Sequence, residues 1–180
     1  MKNFEIHKYS EKPLCDSHCH ATYSHVVDET VYIWKTTMDY FNYEKICVQS
    51  LPSYNVTDTY KNFYYKAKLM PNVYMGAGIN HNFDQRDTAD FYLGEIKKYH
   101  AMGCDGIKML EGKMELFRKL MKPLGDAVYD KFFAYAEENH IPIVMHVGDP
   151  IEYWDYESAS DYVKMMGWVC GPEDPTLEDL

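Results

Sequence analysis

The sequence predicts an α/β fold in which parallel strands are built from five strand–helix units. Three observations predict it. Short apolar runs of strand length alternate with amphipathic stretches of helical spacing. Strand starts recur at intervals of about 30 residues, the size of a βαβ unit. A whole helix lies between successive strands, which makes neighbouring strands parallel. Right-handed crossovers then leave a closed barrel or an open doubly wound sheet, and the pattern alone does not choose between them.

The first apolar run is Pro13-Leu14-Cys15-Asp16-Ser17-His18, and the second spans Lys45 to Leu51. The third covers Val73 to Ile79, the fourth Gly106 to Leu110, and the fifth Ile141 to His146. Between the first two, Val31, Trp34, Met38 and Phe41 recur at helical spacing, so a helix is expected over Asp28 to Phe41 with Asp28 as its N-cap. A second helix is expected over Thr57 to Leu69. A third runs over Ala89 to Met102, with Gly103 as the stop. A fourth covers Met114 to Asn139 and is broken near Pro123 and Gly125. Residues 147–175 read as one long loop in which Trp154 and Trp168 form a lid or simply pack. Residues 176–180 read as the first turn of another helix.

Composition narrows the function. The chain has 180 residues and is 46% hydrophobic, enough for one core-forming domain. A complete eight-unit barrel typically needs about 250 residues. The formal net charge of −10 repels phosphate backbones, so neither nucleic acid nor an anionic membrane surface is an expected partner. No apolar stretch has membrane-spanning length, and Met1 to Lys12 has no apolar core of a secretory signal, so a cytoplasmic location is expected. The five cysteines are scattered with no C-x-x-C pair, which reads as free thiols.

The chemistry-bearing feature is Asp16-Ser17-His18-Cys19-His20 at the end of the first strand. Residues two apart on a strand point to one face, so His18 and His20 project together. They do so at the C-terminal end of a parallel strand, where barrel active sites form. His146 closes the fifth run at the same end. Read alone, it is a packed histidine; read with the other two, it completes three protein ligands with one open position, the arrangement of a catalytic metal site. Two readings stand for Asp16, one layer deeper: a partner that orients an imidazole, or a buried polar group satisfied elsewhere. Asn80 and His81 end the third strand and read as substrate contacts or as loop residues.

These motifs, together with Gly106-Ile107-Lys108-Met109-Leu110 and Ile143-Val144-Met145-His146-Val147-Gly148-Asp149-Pro150, resemble the amidohydrolase superfamily. The likeness is to its amidohydrolase 2 branch of hydrolases and non-oxidative decarboxylases. The resemblance implies a (β/α) barrel of TIM type, with residues 1–180 forming one C-terminally incomplete domain of the first five strand–helix units. It implies that His18, His20 and His146 bind one divalent metal ion, zinc or manganese. The family's strand-four position is a lysine or a glutamate, for which Lys108 and Glu111 are the local candidates; Lys108 also reads as a buried lysine serving substrate. A further histidine and a general-base aspartate come from strands six and eight in the family, and this sequence has no residues for them. Asp149 is a stand-in carboxylate or an ordinary turn residue.

Three functions follow as expectations. The first is a hydrolase that uses metal-activated water on a C–N or C–O bond of a small carbonyl substrate. The second is a metal-dependent decarboxylase of an unsaturated or aromatic acid. The third is a non-catalytic fragment or paralogue. A five-strand piece of a barrel leaves open sheet edges, so a homo-oligomer is expected.

Overall fold

A computed structural model describes residues 11–21, 27–51, 57–81, 88–171 and Asp174. Its centre is one parallel sheet of five strands in the order β1-β2-β3-β4-β5. The strands are β1 (Leu14–Cys19), β2 (Tyr43–Gln49), β3 (Val73–Gly78), β4 (Gly106–Met109) and β5 (Ile143–Met145). The helices are α1 (Val27–Phe41), α2 (Thr57–Leu69), α3 (Ala89–Ala101), α4 (Met114–Leu120), α5 (Asp130–Glu138) and α6 (Asp161–Met165). Sequential strand order with alternating helices curls the sheet into a half barrel. The alternation is therefore realised as a curled parallel half barrel, an arrangement compatible with a partial (β/α) barrel. Among the described residues, no helix is long and apolar enough to cross a membrane.

Helix ends follow local chemistry. Asn42 follows α1 at φ 59, a left-handed conformation that asparagine tolerates. Gly103 follows α3 at φ 87, as a glycine stop should, and its N–H bonds the His100 carbonyl at 2.9 Å. The break expected near Pro123 is real: α4 ends at Leu120 with Met121 left-handed, and a 3₁₀ turn at Ala127–Tyr129 leads into α5. Two expectations need correction. Asp28 lies inside the first turn of α1 rather than before it, and its carboxylate accepts from the Tyr64 hydroxyl. The segment after β5 is also not one loop. It holds a 3₁₀ turn at Ile151–Trp154 and α6, where Ser160 accepts the Val163 N–H at 3.4 Å. The expected helix turn at 176–180 falls outside the described residues.

Alternation along the strands separates two faces. Met75 and Ala77 of β3, Ile79 beyond it, and Ile107 and Met109 of β4 face the helices. There they pack on Tyr92, Ile96 and Tyr99 of α3 and on Tyr129 and Phe132. Met38 of α1 covers Ile46, Val48 and Val73 in a second cluster. The opposite, inner face carries Gln49, Gly76 and Gly106 in one register row, and Gly78, Lys108 and Val144 in the next row toward the strand ends. β1 and β5 are the two edges of the sheet.

Candidate functional site at the C-terminal ends of the strands

β1 carries its two histidines as the alternation requires. The Nε2 atoms of His18 and His20 lie 3.1 Å apart, with the rings edge to face. His20 is oriented from β2: its Nδ1 donates to the Gln49 carbonyl at 2.7 Å, which leaves a lone pair on Nε2. Burial pushes the His18 pKa down, and the charges of Lys108, His20 and His146 push it further against the pull of Asp16. The net effect keeps His18 neutral, the form that binds a metal.

Asp16 is a half-buried polar group satisfied on its own strand: its Oδ1 accepts the main-chain N–H of His18 at 2.9 Å. The register between β1 and β2 slips across this stretch, with Asp16 opposite Ile46 but Cys19 opposite Val48. That irregularity turns the Asp16 carboxylate back onto its own strand. Cys19 packs among the helix-facing residues, and burial pushes its thiol up to about 12.

On the other side of the mouth, His81 is 4% exposed and Glu111 is fully buried. His81 Nε2 donates to Glu111 Oε1 at 2.8 Å, which joins the end of β3 to the turn after β4. His81 is thus a buried structural partner. Glu111 Oε2 is also buried and has no hydrogen-bond partner among the described residues. Lys108 lies on the inner face of β4 at 2% exposure and makes no hydrogen bond to another described residue. Burial pulls its ammonium pKa down, and the charge of Glu111 partly opposes this.

His146 follows β5 and takes its position from β4, donating its main-chain N–H to the Met109 carbonyl at 2.9 Å. Its ring is engaged elsewhere: Nε2 lies 3.0 Å from Asp149 Oδ1. The other Asp149 oxygen accepts the Met114 N–H at 3.3 Å, at the start of α4. Burial pushes the Asp149 carboxyl up, but the His146 hydrogen bond and charge, the Met114 N–H and Lys113 outweigh it and hold the carboxyl below its ordinary value. Asp149 therefore links His146 to the start of α4. Trp154 donates Nε1 to the Asp149 carbonyl, and Trp168 stacks on Tyr153. Of the two readings for these tryptophans, packing is the one realised.

Two residues that sequence reasoning passed over shape this region. The Gln49 amide lies flat over Gly76, where an added Cβ would meet Gln49 Oε1 at 1.9 Å, and its Nε2 donates to the Ser17 carbonyl at 3.3 Å. A polar residue closing an apolar strand was the available signal. Gly112 lets the turn after β4 pass against β5: a Cβ there would come within 2.3 Å of the His146 carbonyl oxygen. No local signal marks that approach, because it depends on where another strand ends.

The structure thus brings His18 and His20 together and keeps His146 on Asp149. Among the described residues, no group of three or more His, Cys, Asp or Glu is arranged to hold a metal ion. The chain matches no protein-family model, no curated protein and no solved structure.

Proposed function

We propose that the chain is a metal-dependent hydrolase whose ion is held by His18 and His20, with His146 as third ligand. The observation that carries this reading is the pair of Nε2 atoms 3.1 Å apart at the mouth of the half barrel. Tetrahedral zinc with Zn–N distances of 2.0–2.1 Å separates two ligand nitrogens by about 3.3 Å, so the pair fits one edge of such a site. The Gln49 carbonyl behind His20 supplies the outer hydrogen bond that orients a ligating imidazole. A neutral His18 fits the same role.

The fit is complete for the pair and incomplete for the third ligand, since the His146 ring is bonded to Asp149. A bound divalent ion would supply Lewis-acid polarisation of a carbonyl and acidify water. The chain's own residues do the rest. His18 and His20 would hold the ion, the Gln49 carbonyl fixes the His20 tautomer, and Asp149 positions His146. The bond attacked is C–N or C–O in a small carbonyl compound. The engaged ring of His146 favours the second reading, a non-catalytic relative of such an enzyme.

Metal content separates the two. After equilibration with zinc or manganese and removal of free ion, the parent should retain about one ion per chain, and a His18→Ala/His20→Ala variant should retain none. Metal-dependent release of product from a panel of small amides, esters and lactones should follow the same pattern. A parent that retains no ion, or a variant that retains as much, returns the non-catalytic reading.

A further inference from the structure

Lys108 is a buried cation at 2% exposure, and among the described residues it makes neither a hydrogen bond nor an ion pair. Removing an ammonium from water without a partner is strongly unfavourable, so a folded chain keeps one there only when something compensates it. Its neighbours in the sheet do not. In register beside it are Gly78 and Val144, neither of which has a side-chain acceptor. The nearest charge acting on it is Glu111, whose Oε1 is already taken by His81.

We propose that Lys108 is the anion-binding group of this site, and that the molecule it receives is a small monocarboxylate. Several features point to one negative charge rather than two. Lys108 is the one cation in its register row of Gly78, Lys108 and Val144 among the described residues, and the charge of Glu111, which acts on Lys108, repels a second negative charge. Gly78 leaves the row beside Lys108 without a side chain, on the face that carries Gln49. Oε2 of Glu111 and Oε1 of Gln49 are buried acceptors without a partner among the described residues, available to an N–H or O–H of a bound molecule. The ligand class is therefore a carboxylate bearing a hydrogen-bond donor. That this molecule is the substrate rests on the hydrolase reading; that it binds at Lys108 does not.

The test uses the metal-free full chain, so its failure is distinct from failure of the metal site. Benzoate and its uncharged isostere benzamide are titrated while the backbone amide resonances of residues 76–78 and 106–112 are followed by NMR. Benzoate should bind at least about tenfold more tightly, as one charge-assisted hydrogen bond provides. That preference should vanish in Lys108→Met. Equal binding of the two probes by the parent overturns the proposal, as does a Lys108→Met protein that keeps the preference. If Lys108→Met does not fold, the parent's two titrations decide alone.

Discussion

The two sides of the strand mouth are built differently. On the β3–β4 side, Val73, Met75 and Ala77 are buried, every residue of β4 is buried, and His81 and Glu111 form a hydrogen-bonded pair out of water. On the β1 side, no residue of Leu14–Cys19 is buried, the register slips within the strand, and His18 and His20 are exposed. The difference is one of support. β3 and β4 have neighbours on both edges and α3 and α5 across one face, whereas β1 has a neighbour on one edge only. The buried wall of β3 and β4 carries Lys108, whereas the histidine pair sits on an edge strand with less packing around it.

Substitutions on the two sides should therefore have unequal effects. Phe132 is fully buried beneath the β3–β4 face, and Phe132→Ala should cost about 3–5 kcal/mol in a denaturant titration. His18→Ala on the exposed rim should stay within about 0.5 kcal/mol of the parent. Equal losses would show that the rim is as tightly held as the core. Next in size is His81→Ala. It strips Glu111 of its one hydrogen-bond partner among the described residues at a buried site and should cost about 3 kcal/mol. A neutral result would mean that Glu111 finds water or Lys108 instead.

The third effect is smaller and depends on pH. Asp149 has its carboxyl held below the ordinary value, so folding favours the ionised form. Its contribution is fully present above the unfolded-state pKa of about 3.9 and is lost as pH falls from there through the folded value. Asp149→Asn should therefore lower stability at neutral pH and flatten its decline below about pH 4. A variant whose pH profile runs parallel to the parent's would remove Asp149 from the acid transition.

Much of this architecture was legible in the sequence, and the rest was hidden for a physical reason. Each strand's apolar run, the α3 stop at Gly103 and the break after Leu120 are local signals, written in residues adjacent in the chain. The meeting of His18 and His20 was equally local, because two residues on one strand share a face. The partnerships of His81 with Glu111 and of Asp149 with Met114 span 30 and 35 residues, and they depend on how strand and turn ends align. No window of sequence contains that alignment. The local bond of Asp16 was hidden for a related reason: the register between β1 and β2 shifts between Asp16 and Cys19, which interrupts simple alternation. The short α6 was masked by a segment rich in Gly, Pro and aromatic residues.

The central claim is that the facing Nε2 atoms of His18 and His20 are one edge of a metal site. Long-range ¹H–¹⁵N NMR of the imidazole rings during a zinc titration tests it directly. The account predicts that both Nε2 resonances shift together and saturate at about one equivalent of zinc, while His20 Nδ1 keeps its proton on the Gln49 carbonyl. Rings that do not respond to zinc, or a response through His20 Nδ1, would contradict it.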